Sequence, residues 1–298
     1  MIVAAPASGP LRPPRRRTPA GAFWLIAPAL LLLAVFLVLP YLNIVVMSLR
    51  RPAVGAPYGP GFTLANYARV LADSYYLGVL FDTLALGLVT TAVCLVLGYP
   101  VAYHLARTRS RWKGLLYVLV LSPLLVGVVV RSFGWLILLS KNGVVNQSLI
   151  DLHLIDGPLT LMNNRFGVTV ALVHVFLPFM ILPLVGAIQS IDPSLEAAGR
   201  SLGASRMKVF QRIFLPLSWP GIQVGSILVF VLTLSAYVTP VMLGGAQVRT
   251  MSVLVVQSLI DNFQWPAGAA LALVLSASGA AAVALYGRLT RRLTRRIE

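Results

Sequence analysis

Ile191-Asp192-Pro193-Ser194-Leu195-Glu196-Ala197-Ala198-Gly199-Arg200-Ser201-Leu202-Gly203-Ala204-Ser205-Arg206-Met207-Lys208-Val209-Phe210-Gln211-Arg212-Ile213-Phe214-Leu215-Pro216-Leu217 is a polar stretch between two apolar runs, 167–190 and 219–243. Each run meets the requirement for crossing a bilayer, about 20 mostly apolar residues. Four further runs of that kind lie outward from this pair, at 23–48, 77–103, 115–139 and 266–287. Across the whole chain 58% of residues are hydrophobic and 11% charged. Soluble domains average about 45–50% apolar and about 25% charged. Charge has been removed from long stretches, as a hydrocarbon solvent demands. The expectation is an all-α polytopic membrane helix bundle with six predicted transmembrane helices.

The net charge of +16 decides orientation through its placement. Arg12, Arg15, Arg16 and Arg17 precede the first run, and Arg107, Arg109, Arg111 and Lys113 follow the second. Arg200, Arg206, Lys208 and Arg212 lie in the quoted loop, and Arg288, Arg291, Arg292, Arg295 and Arg296 close the chain. The opposite loops hold only Arg50, Arg51, Arg69, Lys141, Arg165 and Arg249, with Arg131 inside a run. The positive-inside rule makes the first set cytosolic. A multi-pass membrane protein with cytosolic N- and C-termini is expected. Charges divided among four short segments face anionic lipid and form no continuous groove for nucleic acid.

Residues 1–20 carry Pro6, Pro10, Pro13, Pro14 and Pro19 and read as a disordered, basic cytosolic N-terminus. Residues 21–290 form the transmembrane domain, and 291–298 a basic cytosolic tail. The apolar stretch Ala22 to Val46 exceeds the 7–15 residues of a cleavable signal, so it reads as a retained first span. Cys94 stands alone inside an apolar run and reads as a small buried hydrophobe. His104, His153 and His174 show no metal-ligand spacing, so no metal site is expected.

The quoted loop carries local signals for two short helices. Asp192 or Ser194 can cap a helix starting near Pro193, with Glu196 in its first turn. Ala197, Ala198 and Gly199 leave room for a close neighbour. Gly203 is placed to end that helix in a left-handed cap. Ser205 can cap a second helix, on which Val209, Phe210 and Ile213 recur at helical spacing until Pro216 stops it. Spacing alone supports two readings equally: a docking element, or an amphipathic pair lying on the headgroups.

The loop resembles the Glu-Ala-Ala loop of binding-protein-dependent ABC importer permeases. Their pattern is Glu-Ala-Ala, three residues, Gly, nine residues, Ile, one residue, Leu-Pro. Gly203, Ile213, Leu215 and Pro216 fit that spacing. Counting back from Gly203 places Ala197 at the family's glutamate, Ala198 at its first alanine and Gly199 at its second, with Glu196 one residue early. Phe62-Thr63-Leu64-Ala65-Asn66-Tyr67 before the second run also resembles many such permeases. Arg131-Ser132-Phe133-Gly134-Trp135 and Asn142-Gly143-Val144-Val145-Asn146 resemble the spermidine/putrescine-type branch.

The resemblance implies a type I ABC importer permease fold and an ATPase-coupling loop comprising Glu196, Ala197, Ala198, Gly199, Gly203, Ala204 and Ser205. It implies a cytosolic ABC ATPase dimer, a second permease subunit (homologous or identical) and a periplasmic substrate-binding protein as partners. It also implies import of a small solute, for which the branch suggests a polyamine or related amine. A P-loop needs Gly-Lys followed by Ser or Thr. Lys113, Lys141 and Lys208 do not follow glycine, so ATP and Mg are expected in the partner and no catalytic residue in this chain.

Arg131, Trp135 and Tyr237 are candidates for the substrate path. A charge like Arg131, about eight residues or roughly 12 Å inside the third span, is costly in a bilayer. The structural alternatives are snorkelling to the interface, or an ion pair with Asp82 or Asp261. Trp135 and Tyr237 could instead anchor at the interface. Ser235 and Thr239 could bond within their own helix. An ion-coupled secondary transporter is the alternative function, and it would need paired ionisable groups at mid-membrane. An intramembrane enzyme would need a converging acid, base or metal cluster, and the spans offer none.

Overall fold

A computed structural model describes residues 19–53 and 56–294, with side chains described between 26 and 290. The chain divides into two compact units, Met1–Val46 and Met47–Glu298. Helix α1, Pro19–Ser48, accounts for the described part of the first, with Pro28 and Pro40 inside it. It begins two residues within the segment expected to be a disordered extension. The rest of that segment, 1–18, and residues 295–298 of the basic tail lie outside the described residues.

In the second unit, α2 (Ala65–Ala72) leads into α3 (Ser74–Arg107), and α4 (Lys113–Leu125) and α5 (Val128–Leu139) follow. Helix α6 (Val144–Asp151) precedes the long α7 (Arg165–Gln189). The quoted loop holds α8 (Pro193–Ser201), α9 (Arg206–Val209), a π-helical turn at Phe210–Phe214 and α10 (Leu215–Leu217). The chain then forms α11 (Trp219–Ser235), α12 (Val238–Gly244), α13 (Met251–Val256), a second π turn at Gln257–Asp261 and α14 (Trp265–Thr294). A short antiparallel pair, β1 (Arg50–Arg51) and β2 (Gly59–Phe62), adds the only strands among the described residues.

Among the described residues five helices are long and apolar enough to cross a membrane, and the bent pair Arg206–Leu217 and Trp219–Ser235 makes a sixth if counted as one span. Four of the expected spans are present as single helices; the other two are interrupted, and in place of 115–139 the third apolar span runs Val128–Asp151, with Lys113–Leu125 a separate shorter helix. The 115–139 run breaks between α4 and α5, where Val126 and Gly127 are extended (ψ 132 and 144). Pro123 cannot donate an amide hydrogen to the preceding turn, which weakens the helix just before this break. The 219–243 run breaks at Ala236 (ψ 125), ahead of α12. A third difference is 251–261. This segment is too short to span and read as outer loop, yet it is helical and packs with Val70, Val79 and Leu271 around Met251 and Leu254.

The main core lies where α3, α7 and α11 meet. Cys94, Ala102, Met180, Leu184, Ile188 and Val229 are fully buried there. Cys94 is the buried small residue the sequence suggested, with Sγ 3.7 Å from the Val173 carbonyl oxygen. Close approach of α11 to α7 needs glycine: a Cβ on Gly225 would stand 2.8 Å from Met180 Sδ, and one on Gly221 2.6 Å from Ala187 Cβ. The Asn66 amide donates to the carbonyls of Ser48 (2.8 Å) and Arg50 (3.0 Å), and the hydroxyls of Ser48 and Tyr67 bond at 2.6 Å. The Phe62–Tyr67 motif thus latches the hairpin to the start of the bundle.

Candidate functional site

The loop between α7 and α11 folds as its local signals require. Asp192 accepts from the Ser194 amide at 2.8 Å and caps α8, with Pro193 in the first turn. The Ser194 amide and hydroxyl hold the Asp192 carboxyl below its ordinary range, and Arg107 adds a smaller effect in the same direction. Gly203 takes φ +81, the left-handed conformation expected of it. Ser205 caps α9 by accepting from the Lys208 amide at 3.4 Å.

The seven loop residues divide by face. Glu196 is bound to Arg200 at 2.5 Å, one helical turn on, and its side chain is 23% exposed. Ala197 and Ala198 are exposed, as are Gly203 and Ser205. Gly199 faces inward, where a Cβ would meet Ile213 Cδ1 at 2.9 Å and Val209 Cγ2 at 3.3 Å. Ala204 packs against the main core. Leu202, 89% exposed, and Met207, 63% exposed, present apolar side chains outward beside the alanines. Exposed large apolar groups next to small residues form a surface suited to a protein partner.

Behind this face the loop is clamped to α3. The Arg107 guanidinium donates to the Ile191 carbonyl at 3.0 Å and lies over the Phe214 ring at 5.1 Å. The Tyr99 and Phe210 rings meet edge-on at 5.3 Å, as do those of Tyr103 and Phe214. The Tyr99 and Ser218 hydroxyls bond at 2.8 Å. Pro216 does not stop the helix as its position suggested. It lacks an N–H and crowds the carbonyl four residues back, and the chain accommodates it with the wide π turn. The Leu215 amide then bonds to the Phe210 carbonyl. A bend of 65° follows at Ser218.

The second candidate region surrounds the α4–α5 break. Arg131 lies in the first turn of α5, and its guanidinium donates to the Pro123 carbonyl across the break. The ion pair offered as a structural alternative does not form: Asp82 is bound to Arg165 at 2.6 Å, and Asp261 is exposed in its π turn. One turn along α5, Trp135 Nε1–H donates to His174 Nδ1 at 3.2 Å, with the rings edge-on. A cleft of about 580 Å³ opens between α3, α4 and α7. Pro100, Pro123 and Pro178, one from each helix, line it together with His104 and His174. Proline leaves the carbonyl four residues earlier without its helical partner. The Ser122 hydroxyl bonds one such carbonyl, that of Leu119, at 2.9 Å.

Arg131, Trp135 and His174 therefore share one neighbourhood, and Tyr237 stands at the α11–α12 break. Reading residues singly missed the Trp135–His174 bond. It also placed Thr239 on its own helix, whereas its hydroxyl bonds Ser132 at 3.1 Å and ties α12 to α5. Among the described residues no group of three or more His, Cys, Asp or Glu could hold a metal ion.

Comparison with known proteins agrees with this architecture. Residues 94–295 match the family described as the binding-protein-dependent transport system inner membrane component. The spermidine/putrescine transport system permease protein of Salmonella typhimurium is 35% identical over 265 residues, covering 89% of this chain and 92% of that protein. The Escherichia coli protein of the same name is 34% identical over 266 residues, covering 89% and 96%. A chain of a bacterial alginate ABC transporter, solved in complex with an alginate pentasaccharide-bound periplasmic protein, superposes with a TM-score of 0.73 at 17% identity. That likeness covers 94% of this chain and 98% of the other, and it concerns the fold. The chain belongs to the binding-protein-dependent transport system inner membrane components, the multi-pass permeases of ABC importers.

Proposed function

We propose that this permease imports a polyamine or related cationic amine, energised by a separate cytosolic ABC ATPase dimer that binds ATP and Mg. The observation that carries the substrate class is the 35% identity, over nearly the full length of both chains, to a spermidine/putrescine permease. A polyamine is a donor-only cation that needs acceptors and aromatic faces. The proline-freed carbonyls beside the 580 Å³ cleft and the Trp135 and Tyr237 rings are of that kind. Arg131 holds the Pro123 carbonyl until an amine displaces it.

Coupling is assigned to α8 and the turn after it. The ATPase dimer docks on Ala197, Ala198, Leu202, Gly203 and Ser205, with Glu196 and Arg200 bracing the helix. Closure of the dimer on ATP pushes the loop, and the Tyr99, Tyr103 and Arg107 contacts carry the movement into α3. A second permease subunit completes the pore, and a periplasmic binding protein delivers the amine to the outer loops. Both termini lie in the cytosol, as the basic residues favour.

Uptake of labelled spermidine in cells expressing the chain with its partners is the test. Ala198→Trp and Gly203→Val are expected to abolish ATP-dependent uptake and ATPase co-purification while leaving membrane insertion intact. Normal uptake and co-purification in both variants would refute the coupling assignment. Uptake that ignores loss of the ATPase but collapses with the ion gradient would establish the secondary-transporter alternative.

A further inference from the structure

The cleft between α3, α4 and α7 holds an ionisable ring whose state is set by a neighbour. His174 of α7 lines the cleft, and the Trp135 indole of α5 donates Nε1–H to His174 Nδ1 at 3.2 Å. The two rings stand edge-on with centroids 5.5 Å apart, and Trp135 packs against the main core. The Ser132–Thr239 hydroxyl bond ties α5 to α12 one turn earlier. An indole N–H only donates, so it needs the lone pair on Nδ1. The neutral ring then carries its single proton on Nε2. A ring with protons on both nitrogens has no lone pair for Trp135, so charging His174 breaks this bond.

The groups around His174 determine what such a charge would do. On α5 the Arg131 guanidinium acts on the ring through space. On α3 the titratable groups on this side are Cys94, whose Sγ faces the Val173 carbonyl, and His104 on the cleft wall. Helix α4 presents Ser122 and apolar groups to the cleft, while its Tyr117 hydroxyl accepts from Gln189. Helices α11 and α12 carry no ionisable side chain along Trp219–Ser235 or Val238–Gly244. No carboxylate is among these groups, and Asp82 is already bound to Arg165. A second positive charge beside Arg131 would stand without a counter-ion at membrane depth, where charge is costly. It would also repel a cationic amine entering the cleft.

We propose that Trp135 is a positioning residue for amine import: its indole N–H holds His174 as the uncharged ring and keeps a second fixed positive charge from arising beside Arg131. The consequence is transport that does not weaken through this site as the medium turns acid. That consequence rests on the cleft being part of the amine's path, as proposed above, whereas the state of His174 does not.

Two measurements test it. The first is nitrogen-15 NMR of the purified full chain in detergent, labelled at its three histidines, with His174→Gln identifying the His174 signals. The wild-type ring should show an unprotonated Nδ1 and a protonated Nε2 from about pH 7.5 to about pH 5.5. In Trp135→Phe, which keeps an aromatic ring and removes the N–H, His174 should gain its second proton across that range. The second measurement is uptake of labelled spermidine by proteoliposomes holding the complete transporter, with both faces at the same pH. Trp135→Phe should lower the ratio of acid to neutral uptake about tenfold relative to wild type, and adding His174→Gln to it should restore the ratio. A wild-type His174 protonated at Nδ1, or the same titration with and without the indole, would overturn the proposal and leave the amine's path standing. The expected spectra with an unchanged uptake ratio would put the cleft off that path, and the proposal would fall with it. The wild-type spectrum decides the state of His174 even if Trp135→Phe folds poorly.

Discussion

At Gly199 the space for a side chain is set by Val209 of α9 and Ile213 of the π turn that follows it. Ile213 Cδ1, 2.9 Å from where a Cβ would stand, is the mobile end of a side chain and can yield to one methyl group; the Val209 methyl at 3.3 Å yields less. Gly199→Ala should therefore retain most uptake. Gly199→Val should push α8 off α9 and reduce labelled-spermidine uptake more than tenfold at unchanged protein level, by transport assay with immunoblotting. The same geometry explains the shifted acid of the motif. Position 197 points outward, while Glu196 is held by Arg200 on the flank of α8. Asp192 yields a pH prediction. Its carboxyl is held below the usual range by the Ser194 amide, so its capping contribution is present above the unfolded pKa of about 3.9 and is lost as pH falls through the lower folded value. Hydrogen exchange at the first turn of α8 should be unaffected from neutral pH to about 5 and rise below about 4. Asp192→Asn should remove that acid dependence.

Among the elements, the outer loop after α6 depends on one side chain. Asn146 is fully buried; its amide donates to the Ser140 and Leu159 carbonyls at 3.0 Å each, and its oxygen accepts from the Leu159 amide at 2.9 Å. Asn146→Ala leaves these groups without partners and should cost about 2–3 kcal/mol, read as faster hydrogen exchange at 152–164 and a lower unfolding midpoint in detergent. The motif was visible in the sequence, but its role was not, because Asn146 acts on a carbonyl thirteen residues away through a chain path no periodicity encodes. The helices between α7 and α11 are a contrast. Their caps were legible, because Asp192 and Ser205 are satisfied by an amide two or three residues on, and the Gly203 amide reaches back only to the Arg200 carbonyl. Pro216 was legible as a disturbance but not as a π turn. Its consequence depends on Tyr99 and Tyr103 of α3, whose rings hold Phe210 and Phe214 in the widened turn.

For the whole molecule, the close approach of α7 and α11 helps to set the geometry of the bundle. A Cβ at Gly225 would stand 2.8 Å from Met180 Sδ and 3.2 Å from the Met180 carbonyl oxygen. The sulfur can move, but the carbonyl cannot without shifting α7. Gly225→Leu should destabilise the bundle by about 1–3 kcal/mol, measured as a lower thermal midpoint of the purified chain in detergent, whereas a substitution at Gly186, which has open space around it, should not. The all-α membrane fold, the apolar runs that build it, the place of the polar loop 191–217 and the isolation of Cys94 were determined by the sequence alone. Each follows from the hydropathy or local capping of one continuous segment, and a bilayer reads segments one at a time. Where the spans break, that Arg131 bonds Pro123 while Asp82 bonds Arg165, that Trp135 meets His174, and that 251–261 folds inward were decided only by the tertiary structure. Each needs a partner supplied by packing, and packing brings together residues whose separation along the chain carries no signal.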